Sequence, residues 1–340
     1  MKILMFSADP GAEGRMRKYG ELLEKLEIVY FDRSRGRFSR FWKGYREAKR
    51  ILAREKFDLI TAQEIEHSFL AWRLSKKFKV PWQMQIHTDI FSRYFARESF
   101  LNMARVWLAK FLLPRASCVR VVSERIKKSL EIRNWKLEIS VLPIYAELKN
   151  FGEQNLKEKY PGYDFYILMV GRLTWEKNFY LALEVMREVI KIFNPLLVIV
   201  GEGNERGRLE CEVLAGLEAN VKFEGWQENL FGYYQTSDTL LLTSDYEGYG
   251  MAVVEAIQNG LPVIMSDVGV AGEIIKNDEN GIIVPVGDKD KFAEAILRLK
   301  SNESLRLRLS QNAKNTKLPY NSFEEYRDKL IMSFKQCRIR

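Results

Sequence analysis

The amino-acid sequence predicts an α/β protein made of two doubly wound, Rossmann-like domains. A length of 340 residues suits about two domains. Short apolar runs without polar alternation recur along the chain, and segments of helical length and amphipathic pattern separate them. Such runs are typical of strands buried on both faces of a parallel sheet, and strand–helix–strand units build sheets of this kind.

Eleven apolar runs are predicted to be strands of the two sheets. Those in the first half of the chain cover residues 3–6, 28–31, 59–62, 83–86 and 119–122. Those in the second half cover residues 166–170, 196–200, 221–223, 239–242, 263–265 and 282–284.

Polar and turn-forming residues separate the two sets of runs. Pro143, the polar residues 149–159 and the Pro161-Gly162 turn fall between them, as expected of a linker. We therefore expect a first domain over residues 1–146 and a second over residues 147–318. Residues 319–340 contain a helical pattern after Pro319, which we expect to form a helix able to cross back to the first domain.

The scarce residues exclude several classes of protein. Cys118, Cys211 and Cys337 are odd in number and far apart, which argues against a disulfide framework and a thiolate zinc site. Two histidines are too few for a His-rich metal centre. No run approaches the roughly 20 apolar residues of a membrane span, and the N-terminal segment lacks the apolar core of a signal peptide. We expect a cytoplasmic protein, which can still bind the surface of a membrane.

The positive charge of the chain lies in its first half. The whole chain carries +9, but residues 1–146 hold 30 basic and 16 acidic residues, whereas residues 147–340 hold 24 and 29. The first half is therefore at +14 and the second at −5. This asymmetry indicates an acidic partner or surface that meets only the first half.

The strongest candidate site runs from Glu247 to Glu255. A glycine-flanked turn follows the predicted strand 239–242 and opens a helical segment, and the N–H groups at such a helix start can bind phosphate. The turn includes Gly248, Tyr249, Gly250 and Met251. Glu255 follows Glu247 by about two helical turns, so it would reach another part of an extended ligand. A carboxylate there suits the two hydroxyls of a ribose.

Two further strand ends of the second half carry matching features. Arg172 and Lys177 follow the strand 166–170 on a loop that begins at Gly171, where two cations can clamp a diphosphate. Gly201 and Gly203 follow the next strand and permit close approach of a ligand to the backbone.

Each of these features has a simpler explanation when it is taken alone. The Glu247 turn could be a helix cap with a solvated glutamate, and Arg172 and Lys177 could be ordinary surface cations. Asp288 and Asp290 precede a helical segment, so they are predicted to be an N-cap rather than a metal site. The convergence of three strand ends nevertheless favours a ligand site.

In combination, these motifs resemble glycosyltransferase family 4. The resemblance is carried by Gly171-Arg172-Leu173 with Glu176-Lys177-Asn178, by Gly201-Glu202-Gly203, and by Glu247 and Glu255 within Glu-Gly-Tyr-Gly-Met-Ala-Val-Val-Glu-Ala. It covers the second half strongly and the first half loosely. It implies a retaining, metal-independent transferase of GT-B fold, with two Rossmann-like domains that face each other across a cleft.

The resemblance also implies a role for each matching residue. The second domain would hold a UDP- or GDP-linked sugar, with Arg172 and Lys177 on its diphosphate, Glu255 on the ribose and Glu247 on the hydroxyls of the sugar. His87, after the strand 83–86, would contact the donor sugar from the first domain. The implied catalytic residues are Glu247, Arg172, Lys177 and His87. The donor would also contact Gly171, Gly201, Gly203, Gly248, Tyr249, Gly250 and Met251, with backbone N–H groups around Gly250 and Met251 on its sugar or phosphate oxygens. No cofactor or metal is expected.

The first domain would hold the acceptor. Relatives often carry a Gly-Gly pair after the first strand, whereas this chain has Ser7-Ala8-Asp9-Pro10-Gly11, in which we expect Gly11 to serve.

Two segments of the first half, residues 33–56 and 92–115, combine aromatic residues with cations at helical spacing. Either the aromatic stripes pack on the sheet and leave the cations solvated, or the helices bind anionic lipid. The predicted membrane face consists of Arg37, Arg40, Trp42, Lys43 and Arg46. Such a face would suit a lipid-linked glycan or a glycolipid as the acceptor.

Two other functions stay open at this point. One is another GT-B enzyme, such as a sugar-nucleotide epimerase or a hydrolase. The other is a nucleic-acid-binding protein that uses the same basic face. The second leaves Glu247 and Glu255 unused, so no nucleic-acid partner is expected.

Overall fold

The computed structural model describes residues 1–8, 12–20, 22–31, 36–146 and 154–337. The chain divides into two compact units. The first unit consists of Met1–Pro143 with Pro319–Arg340, and the second consists of Ile144–Leu318. Each unit is a parallel sheet with helices, which confirms the predicted α/β class.

The first unit is built on a parallel sheet that has six strands within the described residues, in the order β2-β1-β3-β4-β5-β6. The strands are β1 (Lys2–Ser7), β2 (Lys25–Tyr30), β3 (Leu59–Ala62), β4 (Trp82–Ile86), β5 (Cys118–Val121) and β6 (Ile139–Val141). The helices before the linker are α1 (Ala12–Gly20), α2 (Arg37–Arg54), α3 (Ile65–Phe78), α4 (Arg93–Glu98), α5 (Phe100–Leu112) and α6 (Glu124–Glu131).

The second unit repeats this plan, and its described part holds a six-stranded parallel sheet in the order β12-β11-β10-β7-β8-β9. The strands are β7 (Phe165–Val170), β8 (Pro195–Val200), β9 (Val221–Gly225), β10 (Thr239–Leu242), β11 (Val263–Ser266) and β12 (Gly281–Val284). The helices are α7 (Leu156–Lys159), α8 (Phe179–Val189), α9 (Arg206–Val213), α10 (Phe231–Thr236), α11 (Met251–Gln258), α12 (Lys289–Ser301) and α13 (Glu303–Lys314).

Burial explains why the apolar runs predicted these strands. Every residue of β8 is buried, as are the four residues of β10, because helices cover both faces of a parallel sheet. All eleven predicted runs lie within or overlap a strand. Strand β6 is not among the predicted runs, because its three residues are only half-buried and form no apolar run.

The N-cap predicted at Asp288 is confirmed. Its Oδ1 accepts the backbone N–H of Lys291 at 3.1 Å, and α12 begins at Lys289. A side-chain oxygen at this position satisfies an N–H group that has no partner inside the helix.

The C-terminal helix, α14 (Phe323–Lys335), belongs to the first unit. Gln83 of β4 donates a hydrogen bond from Nε2 to the carbonyl oxygen of Ser333 at 3.0 Å. The buried Arg120 of β5 donates to the hydroxyl of Tyr326 at 3.0 Å. The helix therefore satisfies polar groups that the sheet buries.

The spacing of the cysteines argued against a disulfide framework, but the structure pairs two of the three. Cys118 of β5 is joined by a disulfide to Cys337, which lies 219 residues further along the chain. The return of α14 to the first unit brings the two residues together, and spacing along the sequence gives no sign of such a return.

Within the described ranges, no helix combines the length and the apolar character needed to cross a bilayer.

Candidate active site

Three loops meet at the carboxyl edge of the second sheet, around its central strand β7. They are residues 171–178 after β7, 201–205 after β8 and 243–250 after β10. The chain leaves β7 toward β8 on one side, whereas it leaves β10 toward β11 on the other. Open α/β sheets bind ligands where the strand order reverses in this way.

Hydrogen bonds fasten the loop after β10 to the loop after β7. Thr243 donates from Oγ1 to the carbonyl oxygen of Asn178 at 2.9 Å, and the N–H of Asp245 donates to the carbonyl oxygen of Glu176 at 2.9 Å. The side chain of Asn178 donates from Nδ2 to Asp245 Oδ1 at 2.9 Å, and its own Oδ1 caps α8 by accepting the N–H of Leu181. The two loops therefore form one connected structure.

Lys177 and Glu247, one from each loop, form an ion pair with 2.5 Å between Nζ and Oε1. Ser244 donates from Oγ to the same oxygen at 2.8 Å. Both charged side chains are largely buried, so water screens their interaction only weakly. The structure thus brings together two of the predicted catalytic residues.

Arg172, the other predicted diphosphate ligand, lies at the rim of the site. Its side chain is 74% exposed, and its Nη2 lies 3.8 Å from Glu176 Oε1. A long, exposed ion pair holds a side chain weakly, so the guanidinium can reorient toward a bound anion at little cost.

Gly201 and Gly203 serve the contact between the loops after β7 and β8. A Cβ atom at Gly201 would overlap the carbonyl oxygen of Gly171, and one at Gly203 would overlap that of Leu173. Gly201 also has a φ of +141°, which L side chains rarely adopt. These glycines let one loop pack against the other, and the approach of a ligand to their backbone stays a prediction.

The helix α11 begins next to this loop pair. Gly250 precedes it with a φ of +98°, and no side chain caps the helix. The N–H groups of a first helical turn have no partner inside the helix, so those that begin at Met251 can bind an anion. The backbone of Tyr249 is held in place by the N–H of Val270, which donates to its carbonyl oxygen at 3.0 Å.

Glu255 is fixed from outside its own helix. Tyr234 of α10 donates its hydroxyl proton to Glu255 Oε2 at 2.7 Å. Burial raises the pKa of Glu255, and the hydrogen bond from Tyr234 partly offsets this. Burial, with the adjacent Glu255, raises the pKa of Tyr234 well above its ordinary value, so the phenol remains a donor. Tyr234 could not be predicted from the sequence, because it belongs to no loop motif and lies on a helix 21 residues before its partner.

In the first unit, His87 follows β4 directly. Among the described residues, its buried Nε2 has no hydrogen-bond partner. Burial, together with the positive charge of Arg120, lowers the pKa of His87 to about 3. The imidazole is therefore neutral near pH 7 and can accept or donate a single hydrogen bond at this nitrogen. Gly11, predicted on the acceptor side, lies outside the described residues.

Comparisons with known protein families cover nearly the whole chain. Residues 151–316 match the family described as "Glycosyl transferases group 1", and residues 3–143 match "Glycosyl transferase 4-like domain". The chain is 29% identical over 289 residues to an uncharacterized glycosyltransferase of Methanocaldococcus jannaschii, covering 78% of this chain and 71% of that protein. It is 27% identical over 283 residues to the UDP-Gal:alpha-D-GlcNAc-diphosphoundecaprenol alpha-1,3-galactosyltransferase of Escherichia coli, covering 78% and 72%.

Solved structures show the same fold. Sucrose-phosphate synthase from Thermosynechococcus elongatus superposes with a TM-score of 0.83 at 21% identity, over 99% of this chain and 98% of that one. Anabaena HepE, solved in complex with UDP-glucose, superposes with a TM-score of 0.76 at 19% identity, over 99% and 98%. The two domain matches, the named relatives and this shared fold establish that the chain is a GT-B glycosyltransferase of the family 4 type.

Proposed function

We propose that this enzyme moves a sugar from a UDP- or GDP-linked donor to a lipid-linked glycan or a glycolipid, with retention of anomeric configuration. The observation that carries the proposal is the Lys177–Glu247 pair next to the start of α11. It puts a cation, a carboxylate and backbone N–H donors at one crevice. The names of two related proteins, one solved with UDP-glucose and one acting on UDP-Gal, support a nucleotide-sugar donor.

The donor site follows from these charges. Departure of the nucleotide places negative charge on its diphosphate, and preorganised positive groups stabilise that charge most where water is excluded. The positive groups in this site would be Lys177, Arg172 and the N–H groups in the first turn of α11. We expect the reaction to proceed without a metal, and full activity in the presence of a chelator would support this.

Glu247 and Glu255 would bind the two ends of the donor. Glu255, held by Tyr234, accepts hydrogen bonds from the ribose hydroxyls. Glu247 contacts the hydroxyls of the sugar, and because it already accepts from Lys177 and Ser244 it is held as a hydrogen-bonding group rather than as a nucleophile. We therefore expect attack of the acceptor on the face from which the nucleotide leaves, which gives retention. His87 would contribute a neutral imidazole to the same sugar.

The acceptor is proposed from the charge of the first unit and from the named relatives. The Escherichia coli relative is named for a diphosphoundecaprenol acceptor. A lipid-linked acceptor would be met at the cytoplasmic face of a membrane, whose anionic lipids attract basic residues. Of the predicted membrane face, Trp42, Lys43 and Arg46 are exposed on α2, while Arg40 is half-buried and Arg37 begins the helix.

A donor screen tests the proposal. Thermal unfolding measured with UDP-, GDP- and ADP-sugars should show a rise in Tm with one nucleotide class. Nucleotide release should then depend on an added lipid-linked acceptor. A proton NMR spectrum taken early in the reaction should show that the transferred sugar has the same anomeric configuration in the product as in the donor. Release without acceptor would indicate a hydrolase, and a changed sugar on the nucleotide would indicate an epimerase.

A further inference from the structure

Helix α5 carries a row of large apolar side chains on its outer face. Phe100 is 88% exposed and Trp107 is 68% exposed, and Met103 and Phe111 are exposed as well. At about 100° per residue these four fall within a sector of about 80°, along about 17 Å of helix. The opposite side holds Asn102, Ala109 and Leu112, which are buried.

The apolar face continues onto the neighbouring helix α3. The ring of Trp72 lies edge-on to that of Phe111 with 5.1 Å between centroids, and Phe69 lies 5.6 Å from Trp72. Phe69 is also exposed. We call Phe69, Phe100, Met103, Trp107 and Phe111 the aromatic face.

Cations border the aromatic face. The ammonium of Lys110 lies 5.1 Å from the centroid of Trp107, the guanidinium of Arg115 lies 4.0 Å from that of Phe111, and Lys76 lies 4.9 Å from that of Trp72. Helix α5 contains no acidic residue in its sequence. The nearest carboxylate on α3, that of Glu66, is bound to Arg105 at 2.7 Å. The surface therefore combines apolar rings with positive charge.

The cations extend across α3 to α2. Lys77 of α3 has its pKa lowered, chiefly because Lys49 of α2 lies beside it. Two neighbouring ammonium groups repel each other, so an anion bound there would be favoured.

The aromatic stripe of α2 is used differently from that of α5. Phe41 packs against Phe31 and His67, with 5.8 and 5.4 Å between centroids. Among the side chains of α2 that the structure describes, Trp42 is the large hydrophobic one that is exposed. Helix α2 therefore turns most of its apolar side toward the protein and presents cations outward, whereas α5 presents its rings.

We propose that the aromatic face of α5 and α3 inserts into the interfacial layer of a bilayer that contains anionic lipid, while the bordering cations bind the headgroups. An amphipathic surface helix with rings on one side and Lys or Arg at its flanks binds in this way. The choice of lipid over a protein partner rests on the charge. Cations frame the row of rings, α5 itself has no acidic residue, and the adjacent carboxylates of Glu66 and Glu98 are bound to Arg105 and Asn102. Such a surface complements an anionic one.

This inference rests on the proposed function for its purpose, because a lipid-linked acceptor must be reached at a membrane. The chain runs from β4 through His87 to α4 and then returns along α5 to β5. The Phe100 end of α5 is therefore the end toward the carboxyl edge of the first sheet, where His87 lies. Insertion there would place the acceptor side of the first unit next to lipid.

The test compares two exposed tryptophans of the full-length protein. Trp107 and Trp42 have similar exposures, 68% and 64%, on α5 and α2. Wild type, Trp107→Ala and Trp42→Ala are sedimented with vesicles of phosphatidylcholine that contain one third phosphatidylglycerol, at low and at high salt. We expect Trp107→Ala to lower the partition coefficient about tenfold and Trp42→Ala to lower it less than about twofold, since only an inserted ring loses the interfacial contact.

A second measurement reports insertion directly. Vesicles with brominated acyl chains should quench part of the tryptophan fluorescence of the wild type, and Trp107→Phe should remove that part while Trp42→Phe retains it. Equal binding of all variants, or no binding at low salt, would overturn the proposal. So would a wild-type dimer that Trp107→Ala makes monomeric, because the face would then belong to a second copy.

The donor-induced rise in Tm is recorded for the same variants. If the donor raises the Tm of Trp107→Ala as much as that of the wild type, the fold and the donor site of the variant are intact. Absence of any such rise in the wild type would count against the proposed function and leave vesicle binding as a separate result.

Discussion

Tyr233 and Tyr234 are neighbours on α10 that hold different glutamates: Tyr233 donates to Glu224 Oε2 and Tyr234 donates to Glu255 Oε2, each at 2.7 Å. Glu224 also binds Lys159 of α7, so Tyr233 belongs to a contact that joins α7, α10 and β9. The chain thus provides a matched pair in which one phenol serves the fold and the other serves the proposed ribose site.

We expect Tyr234→Phe to raise the donor KM about threefold to tenfold with a smaller change in kcat, because Glu255 loses the donor that orients it. The hydrogen bond lowers the pKa of Glu255. Its loss raises that pKa further, so the defect should grow as pH falls and more of Glu255 is protonated. Steady-state kinetics at several pH values measure both effects. Tyr233→Phe is the control; it should lower Tm and leave the donor KM unchanged, and equal KM values for all three proteins would contradict the assignment.

Lys177→Ala should lower kcat by about two to three orders of magnitude, the usual cost of removing one preorganised group that stabilises developing negative charge. Lys177→Arg keeps the charge and should recover part of the loss. Lys191→Ala removes an exposed lysine of the same unit that is paired with Glu188, and it should have full activity. A Lys177→Ala enzyme with wild-type kcat would exclude Lys177 from the leaving-group site.

The loop contact at Gly203 predicts a large effect from one methyl group. Gly203→Ala should lower the free energy of unfolding by at least about 2 kcal/mol, since its Cβ would overlap the backbone of Leu173. Gly207→Ala in α9 meets open space and should change stability by less than about 1 kcal/mol, in the stabilising direction. Chemical denaturation of both variants measures the difference, and similar stabilities would show that the two loops can separate without cost.

The lowered pKa of His87 predicts an acid-sensitive first unit. The folded protein keeps this imidazole neutral down to about pH 3, whereas the unfolded chain takes up its proton near pH 6.5. Between these values the unfolded state binds more protons, so stability falls with falling pH, by up to about 1.4 kcal/mol per unit. His87→Gln removes this proton uptake. Its stability should therefore depend less on pH from 6.5 to 3 than that of the wild type, and parallel curves would show that His87 titrates normally.

Much of the fold could be predicted because the signals are local. Strands such as β8 are buried on both faces and appear as unbroken apolar runs. The proximity of Lys177 and Glu247 could be predicted as well, since the loops that carry them follow strands that lie side by side.

Other features depend on contacts between distant residues. Tyr234 reaches Glu255 from a separate helix, and Cys337 reaches Cys118 only because α14 returns to the first unit. The segments of α2 and α5 both combine aromatic residues with cations at helical spacing in the sequence. Phe41 packs against Phe31, whereas Phe100 is exposed. Which side of each helix faces the sheet depends on tertiary packing, and the sequence pattern does not reveal it.

The position of α14 affects the order in which the two units can finish folding during synthesis. Gln83 and Arg120 are synthesised before the second unit, whereas their partners, Ser333 and Tyr326, are synthesised after it. The second unit, residues 144–318, is complete before those partners exist. We therefore expect the first unit to finish folding only after the second unit has been synthesised, because the hydrogen bonds of Gln83 and Arg120 with α14 cannot form earlier.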